Sequence, residues 1–584
     1  MRRLLPLFLL IILLFSSCSR EKSAGVSVVE IIHSTDVHGN VFPYDFVSDR
    51  ENPGSYARIS SYVTALRDSG AAVILLDAGD ILQGQPTAYY YNFIDTTSHH
   101  LISDVLNYLK YDAVTVGNHD IEPGHAVYDR WKDALEAPLL GANVLSKGEN
   151  KSDTVSYFTP YTVIERGGLR VAVLGLTTPA VPNFLPPVLW SGMEFEDIVQ
   201  SARRIMPRIM AEKPDMVVAM IHSGRGEHAE ETPSSAENAG FALAEAVPGI
   251  DLILCGHDHR QYIDSLKRSD GSVVYLVNPG FNGTALSRTT VSLSRDKSGK
   301  RHLSLIPRVI SLENTPPDKD FIQAFRTQFD ATKEFVQAPV GSITEDLDAR
   351  GVLFGPSAFT DLIHEVQLSL FDSAQISITA PLDVEYVIPR GEILMRDLFK
   401  LYRYENGVNL MRLSGEEIRK ELEASYANWV GTMRTSQDHL LQLQIPSDPE
   451  SSYLPLIHPA FNYDSAKGIR YTVDVRKPVG ERVTILSMKD GSPFDPHAYY
   501  RVVMNSYRAS GGGELLTEGA GIARTELSQR ILASKEHDLR FYLRAYLQKH
   551  SPLTPRVTSD WAFVPAEWTR PAAERDSLYL FGND

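Results

Sequence analysis

Five short apolar runs in the first half of the chain each end in residues that bind metal ions or move protons. Residues 28–32 lead into His33-Ser34-Thr35-Asp36-Val37-His38-Gly39-Asn40, and 73–76 lead into Asp77-Ala78-Gly79-Asp80. Residues 114–116 lead into Gly117-Asn118-His119-Asp120, 217–221 into His222-Ser223-Gly224, and 252–255 into Gly256-His257-Asp258-His259. Carboxylate, amide and imidazole together offer hard oxygen and borderline nitrogen, a donor mix that suits Zn, Mn, Fe or Co better than magnesium. Six or seven such donors exceed the roughly four that one zinc ion usually takes. They fit two divalent ions about 3.5–4 Å apart sharing one carboxylate, an arrangement that lowers the pKa of a bridging water and clamps a phosphoryl group. Taken singly, each fragment reads as a polar loop. His33 lies inside its run and reads as structural, and Gly-Asn-His-Asp makes a turn in which Gly and Asn supply positive φ. Five fragments in succession, each after a strand, are what separates a site from a set of turns.

The elements that position these residues follow from the spacing of apolar positions. The runs are short and rich in β-branched residues, and helical periodicity fills stretches between them, as at 56–69 and 198–211. Alternating β and α units predict an α/β sheet core over 26–315, with further strands at 273–277 and 289–293. In such a sheet ligands bind beyond the carboxyl ends of the strands, so loops distant in sequence converge. The Pro-rich, polar stretch 314–318 marks a boundary, and 316–337 reads as a linker built on one helix, 321–336. Residues 338–549 mix helices (361–371, 415–427) with strands (473–475, 482–487, 498–504), an α+β domain. The tail, 550–584, reads as an extended wrap or as partly disordered.

Composition bounds the rest. A chain of 584 residues exceeds the roughly 250–300 at which a single core stops growing. With 43% hydrophobic and 22% charged residues it is an ordinary globular chain. The net charge of −16 argues against nonspecific binding to a nucleic-acid duplex, which needs a basic face. Only two Cys, Cys18 and Cys255, exclude a disulfide framework and a Cys-based zinc site. Cys255, inside an apolar run, reads as a small buried hydrophobe. At the N-terminus Arg2 and Arg3 precede an apolar run, 4–15, and then Ser16-Ser17-Cys18. The run is shorter than the about 20 residues that span a bilayer and reads as an export signal. A Cys after small residues resembles a bacterial lipobox, with Phe15 where Leu is usual. The resemblance implies a lipoprotein signal over 1–17, a tether over 18–25, a lipid membrane anchor at Cys18, and a protein facing the periplasm or cell surface. An ordinary signal with an incidental Cys is the alternative. Nothing in the sequence points to an obligate protein partner.

Asp36-x-His38, Gly79-Asp80, Gly117-Asn118-His119, His222 and Gly256-His257-x-His259 together resemble the calcineurin-like metallophosphoesterases over about residues 26–300. With the second domain the chain resembles the bacterial nucleotidase family. The resemblance implies a four-layer αββα N-terminal domain, a linker helix and a C-terminal domain that binds the nucleotide. It implies that Asp36, His38, Asp80 and His259 hold one metal ion and Asp80, Asn118, His222 and His257 the other, with Asp80 bridging. His119 becomes the catalytic histidine, stabilising phosphate charge or protonating the leaving oxygen. Where 5′-nucleotidases of the family read Gly-Asn-His-Glu-Phe-Asp, this chain reads Gly117-Asn118-His119-Asp120-Ile121-Glu122. Glu122 and Asp120 therefore compete as partners of His119.

In the second domain, Tyr402-Arg403-Tyr404-Glu405-Asn406 and Asn505-Ser506-Tyr507-Arg508-Ala509-Ser510-Gly511-Gly512-Gly513 stand out. On their own they read as core tyrosines and a tight turn, or as two faces for a flat base beside a backbone that a ligand can approach. The resemblance makes Tyr404 and Tyr507 an aromatic clamp and Asn406 a polar base contact. Arg508 becomes a candidate phosphate contact, with a surface arginine as the competing reading, and Gly511 and Gly512 line the ligand. The 5′-nucleotidase Asn-x-Gly-Gly-Ile-Arg segment is replaced here by Ile376-Ser377-Ile378-Thr379-Ala380-Pro381. The closing Gly-Gly-Asp, whose Asp contacts ribose hydroxyls, is replaced by Gly512-Gly513. The Leu401-Tyr402-x-Tyr404-x-Asn406 and Asn505-x-Tyr507-Arg508-Ala509-Ser510-Gly511-Gly512-Gly513 strings resemble the 2′,3′-cyclic-nucleotide 2′-phosphodiesterase/3′-nucleotidase branch. A 5′-nucleotidase or UDP-sugar hydrolase is the alternative. A lipoprotein that binds nucleotides without turnover, or a sulfur-compound hydrolase on the same fold, is the alternative from another class.

Overall fold

Side chains alternate along the central strands of the first domain, and that alternation sets its layers. The computed structural model describes residues 26–147, 155–228, 236–296, 301–444 and 455–582. The expected signal and tether, 1–25, lie outside the described residues. One six-stranded sheet runs Arg301–Ser311, Ala285–Arg295, Ser27–Ser34, Val73–Asp77, Ala113–Thr115, Leu139–Leu140. A second runs Gln261–Lys267, Val273–Pro279, Leu252–Cys255, Met216–His222, Leu169–Thr177, Tyr161–Arg166. Ser27–Ser34 through Leu139–Leu140 pair in parallel in the first sheet and Val273–Pro279 through Leu169–Thr177 in the second, while Ala285–Arg295 runs antiparallel to both its neighbours. Val29, Ile31, Ile74 and Leu76 of the first sheet meet Val171, Val173, Met216, Val218 and Met220 of the second in one buried cluster. The neighbouring residues point the other way. Ile32 and Leu75 pack under the helices Tyr56–Asp68 and Leu101–Leu109, and Ala172, Val217 and Ala219 under Ile198–Ala211. Sheets buried on both faces need near-continuous apolar strands, as these are. The result is helix, sheet, sheet, helix: the four-layer α/β domain expected.

The stretch between the domains is two helices, Lys319–Ala324 and Arg326–Gln337, where the sequence reads as one. Phe325 leaves helical geometry at φ −106°, ψ 20°, and Phe321 and Phe325 are buried in the first domain's core. The second domain centres on a five-stranded sheet ordered Ser465–Lys467, Ile376–Thr379, Tyr499–Asn505, Gly407–Ser414, Ile531–Asp538. Its longest helix before the tail, Gly415–Trp429, starts at a reciprocal cap. The Ser414 hydroxyl accepts from the Glu417 amide at 3.2 Å and the Glu417 carboxylate accepts from the Ser414 amide at 2.6 Å. Tyr89 of the first domain is buried among second-domain residues, edge-on to Phe399 at 5.5 Å with the Arg540 guanidinium 4.6 Å from its ring centre.

The tail departs from the extended wrap expected. Asp560–Val564 is a strand paired in parallel with Ile469–Asp474, and Ala566–Phe581 is a helix. Trp561 and Phe563 alternate inward, and Trp561 stacks on Tyr471 at 5.7 Å and 9°. Asp576 of that helix is fully buried and accepts the Leu440 and Leu441 amides at 2.8 and 2.9 Å. The tail is part of the second domain's core.

Candidate dimetal active site

Five of the seven expected metal ligands sit in left-handed backbone. Asp36 and His38 have φ 51°, Asp80 59°, His257 75° and His259 56°. Such conformations cost a non-glycine residue about 1–3 kcal/mol each and persist where surrounding structure over-determines them. The surroundings here are strand ends packed edge to edge. The Asp36 amide donates to Gly79 O at 2.8 Å and the His38 amide to Asp80 O at 3.0 Å, which ties two of the loops together. Gly117 has no side chain because a Cβ there would collide with the Asp80 carboxylate.

The donors gather into two groups, Asp36 with His38 and His259, and Asp80 with His222 and His257. His222 Nε2 lies 3.0 Å from Asp80 Oδ2 and 3.2 Å from Asn118 Oδ1. His38 Nε2 lies 3.0 Å from His259 Nε2, which is itself 3.3 Å from Asp36 Oδ1. The ring orientations are set from behind. His222 Nδ1 donates to Ala78 O at 2.8 Å and His38 Nδ1 to Gln83 O at 3.1 Å, so in both rings the Nε2 lone pair faces the cluster. Lone pairs and carboxylate oxygens converging at these distances fit cations. The electrostatics agree. Burial pulls His222 down, but the Asp80 and Asp36 carboxylates overcome it and raise its pKa to about 9. His33, by contrast, belongs to neither donor group: it is hydrogen-bonded to Ser287 Oγ at 3.1 Å, and burial lowers its pKa to about 3 against the nearby Asp36 carboxylate.

The structure separates the two candidate partners of His119. Glu122 Oε2 lies 2.5 Å from His119 Nδ1. Asp120 is fully buried and turns inward, accepting the amides of Asp80, Ile81, Leu82 and Gly117 at 2.7–3.0 Å. It braces the turn that carries Asp80. Burial lowers the pKa of His119, while the Asp80 and Glu122 carboxylates more than compensate and hold it up to about 10.

A cavity of about 200 Å³ joins this cluster to the second domain. Asn118, His119, Glu122 and His257 line one side, and Tyr404, Asn406, Asn505 and Tyr507 the other. Phe461 lies between the tyrosines, perpendicular to Tyr404 at 6.4 Å and to Tyr507 at 6.3 Å. No motif marks Phe461 in the sequence.

Arg508 differs from its expected role. Its side chain is 3% exposed and its donors are spent inside the protein, on Asp464 at 2.6 Å, Phe461 O at 3.0 Å and Gly512 O. It ties the Phe461 segment to the Tyr507 loop and has no reach to phosphate. Neither Gly511 nor Gly512 lines the cavity: Gly511 packs against Arg524, Leu527 and Thr517, and Gly512 lies against the Tyr507 ring. A Cβ on Gly512 would run into the Tyr507 ring.

Fold and donor set define a class, and comparison with known proteins agrees. Residues 29–261 match the calcineurin-like phosphoesterase family and 339–518 match the 5′-nucleotidase C-terminal domain. The chain joins these two domains and is a metal-dependent phosphoester hydrolase. It is 26% identical to the Trifunctional nucleotide phosphoesterase protein YfkN of Bacillus subtilis (strain 168), over 99% of this chain and 42% of that protein. It is 25% identical to the 2′,3′-cyclic-nucleotide 2′-phosphodiesterase/3′-nucleotidase of Haemophilus influenzae, over 92% of this chain and 87% of that one. A Staphylococcus aureus structure solved with alpha-ketoglutarate shares the fold, with TM-score 0.74 and 24% identity over 92% of this chain and all of that one.

The two acids near His119 should separate on substitution. Glu122→Gln should leave thermal stability unchanged and lower kcat, within the about 10²–10⁴-fold span of general acid–base assistance. Asp120→Ala should cost folding stability, because each buried amide left without an acceptor costs about 1–3 kcal/mol. Parallel thermal melts and initial rates check both, and a stable but inactive Asp120→Ala protein would reverse the assignment.

Proposed function

We propose that the chain hydrolyses nucleotides outside the cytoplasm, with 2′,3′-cyclic nucleotides and 3′-nucleotides as substrates and nucleoside and phosphate as products. The observation that carries this reading is the single cavity with Asn118, His119 and His257 on one wall and Tyr404, Phe461 and Tyr507 on the other. Such a cavity holds a phosphoester at one end and a base at the other. The activities named for the Bacillus and Haemophilus relatives support it.

Asp36, His38, Asp80 and His259 are assigned to one divalent ion, and Asp80, Asn118, His222 and His257 to the other. Ions there supply Lewis-acid neutralisation of the phosphoryl charge and an acidified water. His119 Nε2, on the ring edge away from Glu122, donates a proton or hydrogen bond to the leaving oxygen. Glu122 holds the ring and stabilises its positive charge. Tyr404 and Tyr507 stack on the base, a contact worth about 1–3 kcal/mol by alanine substitution, and Asn406 offers it a polar contact. The branch assignment rests on position 513. A carboxylate there would contact ribose hydroxyls and repel a phosphate on the 2′ and 3′ oxygens. Gly513 carries none, and a Cβ at that position would strike Asn462 Oδ1.

The reading includes export and a lipid anchor at Cys18, supported by Arg2-Arg3, the apolar run 4–15 and Ser16-Ser17-Cys18. Among the described residues no helix is long and apolar enough to cross a membrane. Cys18→Ser should therefore move the protein from the detergent phase to the aqueous phase on Triton X-114 partition. Equal partition of both proteins would remove the anchor.

Phosphate release and product chromatography with Mn or Zn, on 2′,3′-cyclic AMP, 3′-AMP, 5′-AMP and UDP-glucose, test the substrate. The first two should turn over with weak action on the others. A clear preference for 5′-AMP or UDP-glucose would overturn the branch assignment, and binding without turnover of any would overturn the enzyme.

A further inference from the structure

Each histidine in the donor cluster has something behind it that sets its ring. For His222 and His38 it is a backbone carbonyl, and for His259 it is the face of Phe281, stacked at 4.8 Å and 5°. His257 differs. Its Nε2 lies 2.7 Å from Oε1 of Glu237, a carboxylate 20 residues earlier in the chain. No motif in the sequence points to Glu237.

The placement of Glu237 is built rather than incidental. Ser223, which follows His222 at the end of its strand, donates from its hydroxyl to Glu237 O at 2.9 Å and accepts from the Ala239 amide at 3.0 Å. The Gly224 amide donates to Asn238 Oδ1 at 2.8 Å, and the Gly240 and Phe241 amides donate to Gly224 O and Arg225 O at 3.1 and 2.8 Å. Residues 237–241 are thus zipped to the strand end that delivers His222. Glu237 is fixed against the same cluster as His222, although its side chain is 47% exposed and lines the nucleotide cavity.

We infer that Glu237 is a positioning residue for His257: by accepting the Nε2 proton it fixes the tautomer and leaves Nδ1 as the lone pair offered to the cluster of Asp80 and His222. A carboxylate in this position also makes the ring a better donor than a carbonyl would, and outer partners of this kind set metal affinity. Glu237 also lines the cavity, whereas the partners of His38 and His222 are backbone carbonyls. The inference rests on the dimetal reading proposed above.

The test is a double-mutant cycle read by metal binding, without turnover. The full chain, stripped by chelation, is titrated with Mn²⁺ by calorimetry as wild type, Glu237→Ala, His257→Ala and the double variant. The wild type should take two ions. Glu237→Ala should weaken one of them by about 10–100-fold and spare the other, the range for loss of an outer-shell partner. On the His257→Ala background the same substitution should change nothing further, because Glu237 acts through that ring. Wild-type affinity for both ions in Glu237→Ala would overturn the inference while leaving the dimetal reading standing. So would an additive double variant, which would make Glu237 a ligand in its own right. Fewer than two ions in the wild type would overturn the dimetal reading and this inference with it.

Discussion

Asp80 lies beside two crowded sets of donors, Asp36 with His38 and His259 and its own with His222 and His257. One of its carboxylate oxygens accepts the His119 amide at 2.8 Å and the other faces His222 Nε2 at 3.0 Å. Asp36, also fully buried, is held low at about 2: burial alone would raise it, and His259 and His222 outweigh that. Two buried carboxylates among four imidazoles draw positive charge to the cluster, as the raised pKa of His222 shows. Uncompensated buried charge is among the most costly features a fold can hold. The site is a demand for cations that the rest of the first domain is built to sustain.

What sustains it is the pairing of parallel strands. The seven donors come from five strand ends, with Asp36 and His38 sharing one and His257 and His259 another, so the spacing between the five loops is the spacing between neighbouring strands and sheets. The left-handed turns at Asp36, His38, Asp80, His257 and His259 fold the chain back over the sheet edge and aim the side chains at one point. Asp120 serves the same end by capping four amides of the Asp80 and Gly117 turns. Among the described residues, the second domain contributes none of the donors in these two groups. Its part is the aromatic wall, held by the buried Arg508–Asp464 pair that links the Phe461 segment to the Tyr507 loop. The joint between the domains is packed around Tyr89, so the cavity is a product of both cores.

The donor cluster was legible in the sequence because metal chemistry restricts residue type severely and an α/β sheet restricts place. Asp, Asn and His directly after strands leave few other readings. Glu122 and Asp120 could not be ranked from sequence, since three residues and one residue from His119 both permit contact and only the direction of each side chain decides. Glu237 and Phe461 carry no local signal. They matter through what the fold sets beside them, His257 for one and two tyrosines for the other. Arg508 misleads because an arginine beside a clamp residue reads as a ligand contact, while its partner, Asp464, lies 44 residues away in sequence. In the tail, Trp561 and Phe563 do alternate inward, but five residues are too few to set against flanking prolines. The break at Phe325 has no glycine or proline to mark it.

The central claim is that two ions are held on either side of Asp80, and anomalous diffraction from crystals grown with Mn²⁺ tests it directly. Two peaks about 3.5–4 Å apart should appear, one against Asp36, His38 and His259, the other against Asn118, His222 and His257, with Asp80 touching both. A single peak, or peaks away from Asp80, would contradict the account.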